Sequence, residues 1–281
     1  MTLDRGLVLI TGASGGIGKS TAMFLAEKGY RVAATSRARE RLTDLETEAT
    51  RRGLPVYGVE LDLNSEDGLT ETLAEVTDEH GPIDSLVNNA GYGLWGPVQT
   101  LSMDELRAQF ETNFFAGIRL IQSVAPGMVE RRRGTIVNVS SIAGRIGIPF
   151  NGAYAASKFA IEGLSESLRL ELWPLGVRVA LVEPGLFQTS FLDNQVIASG
   201  IESENGDPYR GYIERYRNRN RGVFSGKDPI RVARVIHKII RSRRPRFRYP
   251  VGPEAWLGSW GAKLVPERLF QSLVSRASIG R

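Results

Sequence analysis

Cysteine is absent from the 281-residue sequence, and histidine occurs only as His80 and His237. The first absence excludes disulfides, thiol nucleophiles and thiolate metal sites. The second leaves no imidazole cluster for a zinc site of the usual kinds, and neither histidine accompanies the nucleophile-elbow motif that a Ser-His-Asp hydrolase would carry. We therefore expect no bound metal and a chemistry that relies on other side chains.

Long apolar runs are also missing. No run approaches the ~18 residues that a bilayer span requires. The short apolar stretch Leu7–Ile10 leads into a glycine motif and not into a signal-peptide cleavage site. Apolar residues make up 42% and charged residues 24% of the chain, which is typical of a globular protein. We expect an intracellular, cytoplasmic protein.

Short β-branched runs alternate with segments of helical periodicity. The predicted strands are residues 7–10, 31–35, 56–60, 85–88, 135–139, 178–182 and about 247–251, and the longest predicted helices are 103–131 and 153–173. This pattern predicts an α/β fold: a doubly wound Rossmann domain with a mostly parallel sheet of about seven strands and helices on both faces. We expect a single domain over residues 1–281, with a substrate-binding lid around 185–226, where no strand is evident, and a C-terminal extension around 252–281.

A glycine-rich segment, residues 11–18, follows the first strand and opens the first helix. Its sequence is Thr-Gly-Ala-Ser-Gly-Gly-Ile-Gly. Glycines at such a turn let the backbone approach a pyrophosphate, whose charge then lies at a helix N-terminus. An ordinary turn is the alternative, but the position between strand and helix favours a dinucleotide site. The expected cofactor contacts are Gly12, Ser14, Gly16, Ile17 and Gly18.

The end of the second strand favours one cofactor over the other. Sites for NAD place an acid there to bind the ribose 2′-hydroxyl, whereas an arginine favours a 2′-phosphate. Here the chain has Ser36 and Arg37, and no carboxylate before Glu40. Arg37 can offer a fork of charge-assisted hydrogen bonds and Ser36 a hydroxyl. The alternative is that Arg37 and Arg39 only solvate a loop. The sequence predicts NADP(H).

Tyr154 and Lys158 are four residues apart on a predicted helix, so their side chains share one face. A phenol ionises near ~10, and an ammonium beside it favours the phenolate and lowers that pKa. Tyr154 can then give a proton to a carbonyl oxygen, or take one from an alcohol, as a hydride moves. The alternative is an ordinary pair of this spacing on a helix surface.

The TGxxxGxG turn, the Asn-Asn-Ala-Gly motif at 88–91 and the Tyr-x-x-x-Lys pair resemble the short-chain dehydrogenase/reductase family. The resemblance implies that Ser141, thirteen residues before Tyr154, holds the substrate oxygen, and that Asn113 anchors a water in the proton relay. It implies that Tyr154 and Lys158 also contact the cofactor. Its further implied cofactor contacts are Asp62, Asn89, Pro184 and Thr189.

The segments around residues 149–151 and 157–163 resemble the branch that includes 17β-hydroxysteroid and retinol dehydrogenases. This implies a steroid-, retinoid- or lipid-like substrate. Apolar residues near the predicted site favour a lipophilic ligand: Leu94, Trp95, Phe150, Phe187, Phe191 and Leu192. The expected function is NADP(H)-dependent interconversion of a carbonyl and a primary or secondary alcohol. The alternatives are a 3-oxoacyl-type reductase and a catalytically idle protein that senses NADP(H).

Two arginine-rich stretches, at 210–221 and 241–248, account for much of the net charge of +5. Nucleic acid, an anionic carrier and a membrane surface are candidate ligands, but a solvated helix face is favoured. A C-terminal stripe of Leu269, Phe270, Leu273 and Val274 favours packing on the core or on another subunit, with peripheral membrane contact as the alternative. We expect a homodimer or a homotetramer.

Overall fold

A seven-stranded parallel sheet forms the centre of the computed structural model, with the strand order β3-β2-β1-β4-β6-β7-β9. The model describes residues 5–63, 65–187, 189, 191, 195–201, 209–213, 215 and 227–279. The strands of this sheet are β1 (Leu7–Ile10), β2 (Arg31–Ser36), β3 (Val56–Glu60), β4 (Ile83–Asn88), β6 (Gly134–Val139), β7 (Val177–Pro184) and β9 (Arg248–Val251). Two further strands, β5 (Leu94–Trp95) and β8 (Val196–Ile197), pair with each other in parallel.

Helices flank the sheet. They are α1 (Gly16–Glu27), α2 (Thr43–Arg51), α3 (Glu66–His80), α4 (Met103–Phe110), α5 (Ala116–Glu130), α6 (Gly152–Leu172), α7 (Ile230–Arg241), α8 (Pro253–Leu264) and α9 (Glu267–Ile279). A π-helical turn, Glu111–Phe115, joins α4 to α5. Short 3-10 turns occur at Arg39–Leu42, Val98–Thr100, Ile142–Gly144, Trp173–Leu175 and Ser199–Ile201.

The strands divide the core into two layers because successive side chains of a strand point to opposite faces. In β1, Val8 and Ile10 pack with α1, α2 and α7 on one face, whereas Leu7 and Leu9 pack with α3 and α5 on the other. All four are fully buried. Continuous apolar strands of this kind are typical of a parallel sheet covered on both sides.

Local sequence explains where several helices begin and which face they bury. At the start of α4, Ser102 and Glu105 form a reciprocal capping box, which satisfies backbone N–H groups at the helix N-terminus. In α7 the buried residues recur at helical spacing, so one face of the helix is apolar: Val232, Ala233, Ile236, Ile239 and Ile240. This face closes the same core layer as α1.

The predicted α/β class, parallel sheet and flanking helices are confirmed. Two details differ from the prediction. The helix expected over 103–131 is interrupted by the π-helical turn. The stretch after residue 185, in which no strand was expected, contains β8, whose two-residue length is too short to leave a periodic signal in the sequence.

Candidate functional site

The strand order reverses between β1 and β4, whose neighbours are β2 on one side and β6 on the other. Connections leave these two strands toward opposite faces, so a crevice opens beyond their carboxyl ends. The glycine turn at 11–18 follows β1, and the segment 88–91 follows β4. The structure therefore brings both motifs to the edge of the sheet where ligands of such folds bind.

Steric crowding explains the glycines of the turn. Gly12 has a φ of +66°, a backbone conformation that side chains disfavour. A Cβ on Gly18 would lie 2.2 Å from the Gly12 carbonyl oxygen, and a Cβ on Gly16 would lie 3.0 Å from the Cβ of Thr189. The turn is thus folded tightly against α1, and the structure places Thr189 beside it. Ser14 is exposed and Ile17 is partly buried on this turn.

Amide side chains join the two motifs across the crevice. The Asn89 side-chain amide donates to the Thr11 and Gly12 carbonyls at 3.0 and 3.2 Å. The Thr11 hydroxyl accepts from the backbone N–H groups of Asn89 and Ala90, both at 2.9 Å. Asn88 donates to Asn138 Oδ1 at 3.0 Å. Asn89 therefore supports the glycine turn directly, and Thr11, which was not predicted as a site residue, is its counterpart.

At the end of β2, Ser36 is buried and Arg37 is exposed. Burial raises the pKa of the Tyr92 phenol, and the positive charge of Arg37 opposes this rise. Arg39 differs, because it is bound by Glu46 at 2.7 Å and donates to the Gly58 carbonyl. Among the residues that the structure describes, Arg37 forms no ion pair with a carboxylate. Asp62 is exposed and lies two residues after the end of β3.

Ser141, Tyr154 and Lys158 meet beyond the carboxyl end of β6. Ser141 caps the 3-10 turn Ile142–Gly144, and its hydroxyl forms a hydrogen bond with the Tyr154 phenol. Tyr154 and Lys158 lie one turn apart on α6, with the Lys158 ammonium 5.7 Å from the centroid of the Tyr154 ring. The ammonium donates to the Val139 carbonyl at 2.9 Å. The structure therefore assembles the three residues as the spacing predicts.

Ser140 points away from this group. Its buried hydroxyl lies on the side of Gly144, where a Cβ would come within 2.6 Å of it. The geometry thus agrees with the choice of Ser141 over Ser140 from the interval to Tyr154.

Burial dominates the electrostatics of Tyr154 and Lys158. Burial raises the pKa of Tyr154 to about 12, and the hydrogen bond from Ser141 opposes this. Burial also lowers the pKa of Lys158 to about 8, and the negative charge of Glu162 raises it. In the protein alone, burial is the largest influence on the pKa of Tyr154 and Lys158 is not among the groups that shift it, so the expected lowering by Lys158 is not seen. At neutral pH Tyr154 carries its proton.

Asn113 lies in the π-helical turn and is almost completely buried. Its side chain accepts from the Tyr92 N–H at 3.0 Å and donates to the Tyr92 carbonyl at 2.9 Å and to the Ser157 hydroxyl at 3.3 Å. One turn earlier, Gln109 accepts from the Leu94 N–H at 2.7 Å and donates to the Tyr92 carbonyl at 2.9 Å. The two amides hold the loop after the Asn-Asn-Ala-Gly motif. Gln109 was missed in the sequence, although its helical spacing from Asn113 was visible.

A cavity of about 20 Å³ lies between Asn113 and Lys158. Its other polar lining residues include Asn88 and Asn138. The Asn88 Oδ1 atom is buried without a hydrogen-bond partner among the described residues. A volume of ~10–15 Å³ holds one water, and a water needs polar partners of this kind. The cavity is therefore suited to a single water between the amides and the ammonium.

Aromatic rings contact Tyr154 and the segment just before α6. The Phe191 ring lies 5.3 Å from the Tyr154 ring, and the Phe150 ring lies 5.6 Å from Trp95 and 6.2 Å from Tyr209. Phe150 has a φ of +64°, which costs a bulky residue about 1–2 kcal/mol in backbone energy. We call these rings the aromatic wall: Trp95, Phe150, Phe191 and Tyr209.

Two of the predicted pocket residues lie elsewhere. Phe187 is 5% exposed and packs in the core layer with α1 and α7, because it follows directly on the buried end of β7. Leu94 is buried with Ala153 and Ala198, under the wall and not on its surface. Leu192, together with most of the predicted lid, lies outside the described residues.

The part of the predicted lid that is described docks on the segment after β4. β8 pairs with β5, and the Ser199 N–H donates to the Glu105 carboxylate at 2.8 Å. Gly96 forms a parallel bridge to Asn151, and its N–H donates to the Phe150 carbonyl at 2.8 Å. These backbone bonds fix the aromatic wall relative to the start of α6.

The C-terminal extension consists of α8 and α9. Gly258 of α8 faces Ile142, and Phe270 of α9 contacts Gly261. Leu269 and Leu273 are 55% and 50% exposed, so these two side chains do not pack on the core, and packing on another subunit stays a prediction. Among the described helices, none combines the length and the apolar character that crossing a bilayer requires.

The arginine-rich stretch 241–248 divides into two environments. Arg241, Arg243, Arg244 and Arg246 are exposed, as a solvated face predicts. Arg248 is not part of that face, because its guanidinium pairs with the buried Glu162 at 2.8 Å. Glu162 and its neighbour Glu183 were not predicted as functional, although a carboxylate four residues after Lys158 is a visible signal. In the described part of the chain, no cluster of His, Cys, Asp or Glu could hold a metal.

Sequence comparisons place the chain among known enzymes. A family model described as short chain dehydrogenase matches residues 6–198. The chain is 38% identical to 3-ketodihydrosphingosine reductase of Bacteroides thetaiotaomicron, with 88% of each chain covered. It is 40% identical to retinol dehydrogenase 8 of Bos taurus, over 86% of this chain and 80% of that protein. It is 33% identical to 17-beta-hydroxysteroid dehydrogenase type 1 of Mus musculus, over 88% of this chain and 74% of that protein.

Solved structures show the same fold. A short-chain dehydrogenase from Streptomyces avermitilis has a TM-score of 0.82 at 28% identity, with 98% of this chain and 97% of that chain covered. A metagenomic short-chain oxidoreductase in complex with NADP has a TM-score of 0.70 at 29% identity, with 89% and 98% covered. A Burkholderia phymatum enzyme in complex with NAD has a TM-score of 0.81 at 25% identity, with 97% and 96% covered. Relatives of this fold thus bind either nucleotide.

Proposed function

The chain belongs to the short-chain dehydrogenase/reductase family, and we propose that it interconverts a carbonyl and an alcohol on a lipophilic substrate with NADP(H). One observation carries this proposal. The Tyr154 phenol is hydrogen-bonded to Ser141, lies under the Lys158 ammonium and faces an aromatic wall. A proton donor thus stands where an apolar carbonyl compound would be bound.

The crevice fits a dinucleotide. The turn at Gly12, Gly16 and Gly18 leaves no room for side chains, and the residue before α1, Gly15, offers no side chain to cap the helix. The N–H groups at the start of α1 are then available to a pyrophosphate. Our proposal assigns further contacts to Ser14, Ile17, Asp62, Asn89, Pro184 and Thr189. When bound, the nicotinamide supplies or takes the hydride.

We assign NADP(H) and not NAD(H) from the end of β2. Arg37 is exposed, stands at the crevice beside Tyr92 and has no carboxylate partner among the described residues. A free guanidinium there can bind a 2′-phosphate through two parallel hydrogen bonds, with the Ser36 hydroxyl beside it. Arg39 is already bound by Glu46 and Gly58, so it does not compete for the phosphate.

In carbonyl reduction, Tyr154 donates its proton to the oxygen as the hydride reaches the carbon. The raised pKa of about 12 keeps the phenol protonated at neutral pH, and the hydrogen bond from Ser141 orients the same oxygen atom. The Ser141 hydroxyl can also bind the substrate oxygen as charge develops there. The Lys158 ammonium and a water in the cavity beside Asn113 would return a proton to Tyr154.

The aromatic wall supports a lipophilic substrate. Phe191 lies beside the Tyr154 ring, and Phe150, just before α6, contacts Trp95 and Tyr209, so apolar ring surface is concentrated in this region. The similarity to proteins named for a long-chain sphingoid base, a retinoid and a steroid points in the same direction. We propose a lipid-, retinoid- or steroid-like carbonyl compound as the substrate class.

A substrate panel tests the proposal. The purified protein is incubated with NADPH or NADH and with one member of each class: a 3-keto sphingoid base, retinaldehyde, a 17-ketosteroid and a short 3-oxoacyl thioester. We expect oxidation of NADPH, followed by its near-ultraviolet absorbance, with at least one of the three lipophilic compounds. Turnover of the thioester alone would favour a 3-oxoacyl reductase, and no turnover would favour an NADP(H)-sensing protein.

Tyr154→Phe is the matching variant, because it removes one oxygen and keeps the ring beside Phe191. We expect turnover to fall about 10²–10⁴-fold, the usual contribution of a general acid, with NADPH affinity nearly unchanged. Tyr57→Phe, at a ring stacked on His80 away from the crevice, is the control. Full activity in Tyr154→Phe would contradict the proposed proton donor.

A further inference from the structure

A buried group of four charged side chains lies one turn beyond Lys158 on α6. Arg248 Nε contacts Glu162 Oε2 at 2.8 Å and Glu183 Oε1 at 3.5 Å. Arg145 contacts the same two carboxylates at 3.8 and 4.0 Å. The side chains of Glu162 and Glu183 are only 6% and 1% exposed. We call Glu162, Glu183, Arg145 and Arg248 the buried ion cluster.

The buried ion cluster joins the elements that carry the proposed catalytic residues. Arg145 follows the 3-10 turn that Ser141 caps, Glu162 lies on α6 with Tyr154 and Lys158, and Glu183 precedes Pro184 at the end of β7. Arg248 begins β9. The Ser259 hydroxyl of α8 also donates to Glu183, at 3.3 Å. The cluster thus connects the active-site elements to the C-terminal part of the chain.

Packing fixes the position of the Glu162 carboxylate. A Cβ on Gly144 would lie 3.1 Å from Glu162 Cγ and 3.0 Å from the Lys158 carbonyl, so the 3-10 turn lies flat on this part of α6. Buried ion pairs usually add little to folding stability, because removing the charges from water costs about as much as their attraction returns. The presence of such a cluster, with Glu162 one helical turn from Lys158, therefore calls for another explanation.

We propose that Glu162 is a positioning residue for Lys158: its carboxylate, held by packing of α6 against the 3-10 turn, keeps the Lys158 ammonium charged. This inference rests on the proposed function, in which that ammonium serves Tyr154. Residues four apart on a helix lie on the same face with their Cβ atoms about 5–6 Å apart. Opposite charges on one helix face attract each other more strongly in a poorly hydrated interior than in water. In agreement with this geometry, burial lowers the pKa of Lys158 and Glu162 raises it.

The other groups around the pair leave this role to Glu162. Lys158 faces Tyr154 on its own helix, the Val139 carbonyl on β6, and the uncharged amides of Asn113 and Asn138 across the cavity. Glu162 in turn faces three charged groups: Arg145, Glu183 and Arg248. One turn later on the same helix lies Glu166, whose carboxylate is 3.0 Å from the Arg248 guanidinium.

Direct titration of Lys158 tests the proposal without using activity. The protein is labelled with ¹³C at the lysine Cε atoms, and the resonance lost in Lys158→Met identifies Lys158. In Glu162→Gln, we expect the titration midpoint of Lys158 to move to lower pH. At alkaline pH Glu183 is already ionised, so it does not replace the charge that was removed. Glu166→Gln is the matched control, on the same helix and bound by the same arginine but 60% exposed, and should titrate as the wild type does. An unchanged midpoint in Glu162→Gln would overturn the proposal.

The pH dependence of kcat/KM provides the second readout. In the wild type we expect kcat/KM to fall on the alkaline side, where Lys158 loses its proton. In Glu162→Gln this fall should begin at lower pH, so that at alkaline pH the kcat/KM of the variant is about threefold or more below that of the wild type. Arg248→Met breaks the buried ion cluster from the opposite side, since it removes a positive charge. Its alkaline limb should stay in place or move to higher pH.

If both variants moved the alkaline limb to lower pH, structural loosening would explain the result and the electrostatic role would be wrong. Absence of activity in the wild type would contradict the proposed function, whereas the lysine titration would still decide the role of Glu162. Thermal unfolding of each variant, measured beside these profiles, confirms that it is folded under the conditions of the test.

Discussion

The two sides of the crevice are built on different physical principles. On the nucleotide side, glycines at van der Waals contact and buried amide hydrogen bonds fix the backbone, as at Gly12, Gly18 and Asn89. On the substrate side, partly exposed aromatic rings and a two-residue strand pair define the surface, as at Phe150 and β8. On the nucleotide side, few residues can be substituted without a steric clash. The substrate side can accept substitutions that preserve an aromatic ring and the side-chain volume.

This difference determines what each side can recognise. Backbone groups in a fixed turn suit a ligand part that never changes, such as a pyrophosphate. Side chains held mainly by packing suit a ligand part that differs between related enzymes. The predictions below test whether the contrast is as sharp as the geometry suggests, starting with the largest effect.

Substitution of Gly18 by alanine should abolish high-affinity cofactor binding. The added Cβ would lie 2.2 Å from the Gly12 carbonyl oxygen and 2.8 Å from Asn89 Nδ2, so the turn would have to open. We expect NADPH affinity to fall at least about tenfold, a change of ~1.4 kcal/mol, and turnover to fall with it. Gly163→Ala is the control, since nothing lies within 4 Å of that position on α6. Wild-type NADPH affinity in Gly18→Ala, measured by fluorescence titration, would contradict the steric basis of this side.

Arg37→Ala should weaken NADPH and leave NADH almost unaffected. Hydrogen bonds to charged groups contribute about 1.5–3 kcal/mol, which corresponds to roughly a ten- to hundredfold loss of NADPH affinity. Arg39→Ala removes the neighbouring arginine, which already pairs with Glu46, and should change neither affinity much. Equal losses for the two cofactors in Arg37→Ala would disprove the 2′-phosphate assignment.

Glu183, at the end of β7, should give the folding stability a pH dependence. Burial raises the pKa of Glu183 to about 7, whereas an unfolded glutamate ionises near ~4.3. Its contribution to stability is therefore fully present below pH ~4.3 and is lost as the pH rises through about 7. In the wild type we expect Tm to decrease as the pH rises from mildly acidic to mildly alkaline. In Glu183→Gln this decrease should be smaller by a few degrees.

Calorimetry across this pH range measures the effect, with Glu166→Gln as a control whose carboxylate is exposed. The same pH dependence in Glu183→Gln and in the wild type would show that another group is responsible.

Leu257→Ser should produce the smallest change. This side chain of α8 is 74% exposed, so its replacement should alter the free energy of unfolding by no more than ~0.5 kcal/mol. Leu86→Ala, at a fully buried position of β4, should cost about 2–5 kcal/mol. Chemical denaturation compares the two. A large loss of stability in Leu257→Ser would mean that α8 is more closely packed than its exposure indicates.

The sequence signals for the nucleotide side are local. Tight turns demand glycine, a strand end carries Arg37, and Tyr154 and Lys158 lie one helical turn apart, so short motifs identify each feature. The parallel sheet follows from the apolar runs of β1 to β7. The substrate side depends on contacts between distant segments, such as Trp95 with Phe150 and Arg248 with Glu162, which no local pattern encodes.

For the same reason, the placement of Phe187 in the core and of Arg248 in the buried ion cluster was not foreseen. An apolar residue after a strand fits a pocket or a core equally well, and an arginine in a basic run resembles its exposed neighbours. The roles assigned to Ser141, Asn113 and the cofactor contacts stay predictions.

Trp95 in the aromatic wall has a practical consequence for following the reaction. The sequence has four tryptophans, and the other three, Trp173, Trp256 and Trp260, are 41–51% exposed, whereas Trp95 is 3% exposed. A water-soluble quencher such as iodide will suppress the emission of the exposed indoles and spare that of Trp95. The remaining fluorescence then comes mainly from one indole in the aromatic wall, so a change in it on addition of a candidate substrate would report a ligand near Phe150.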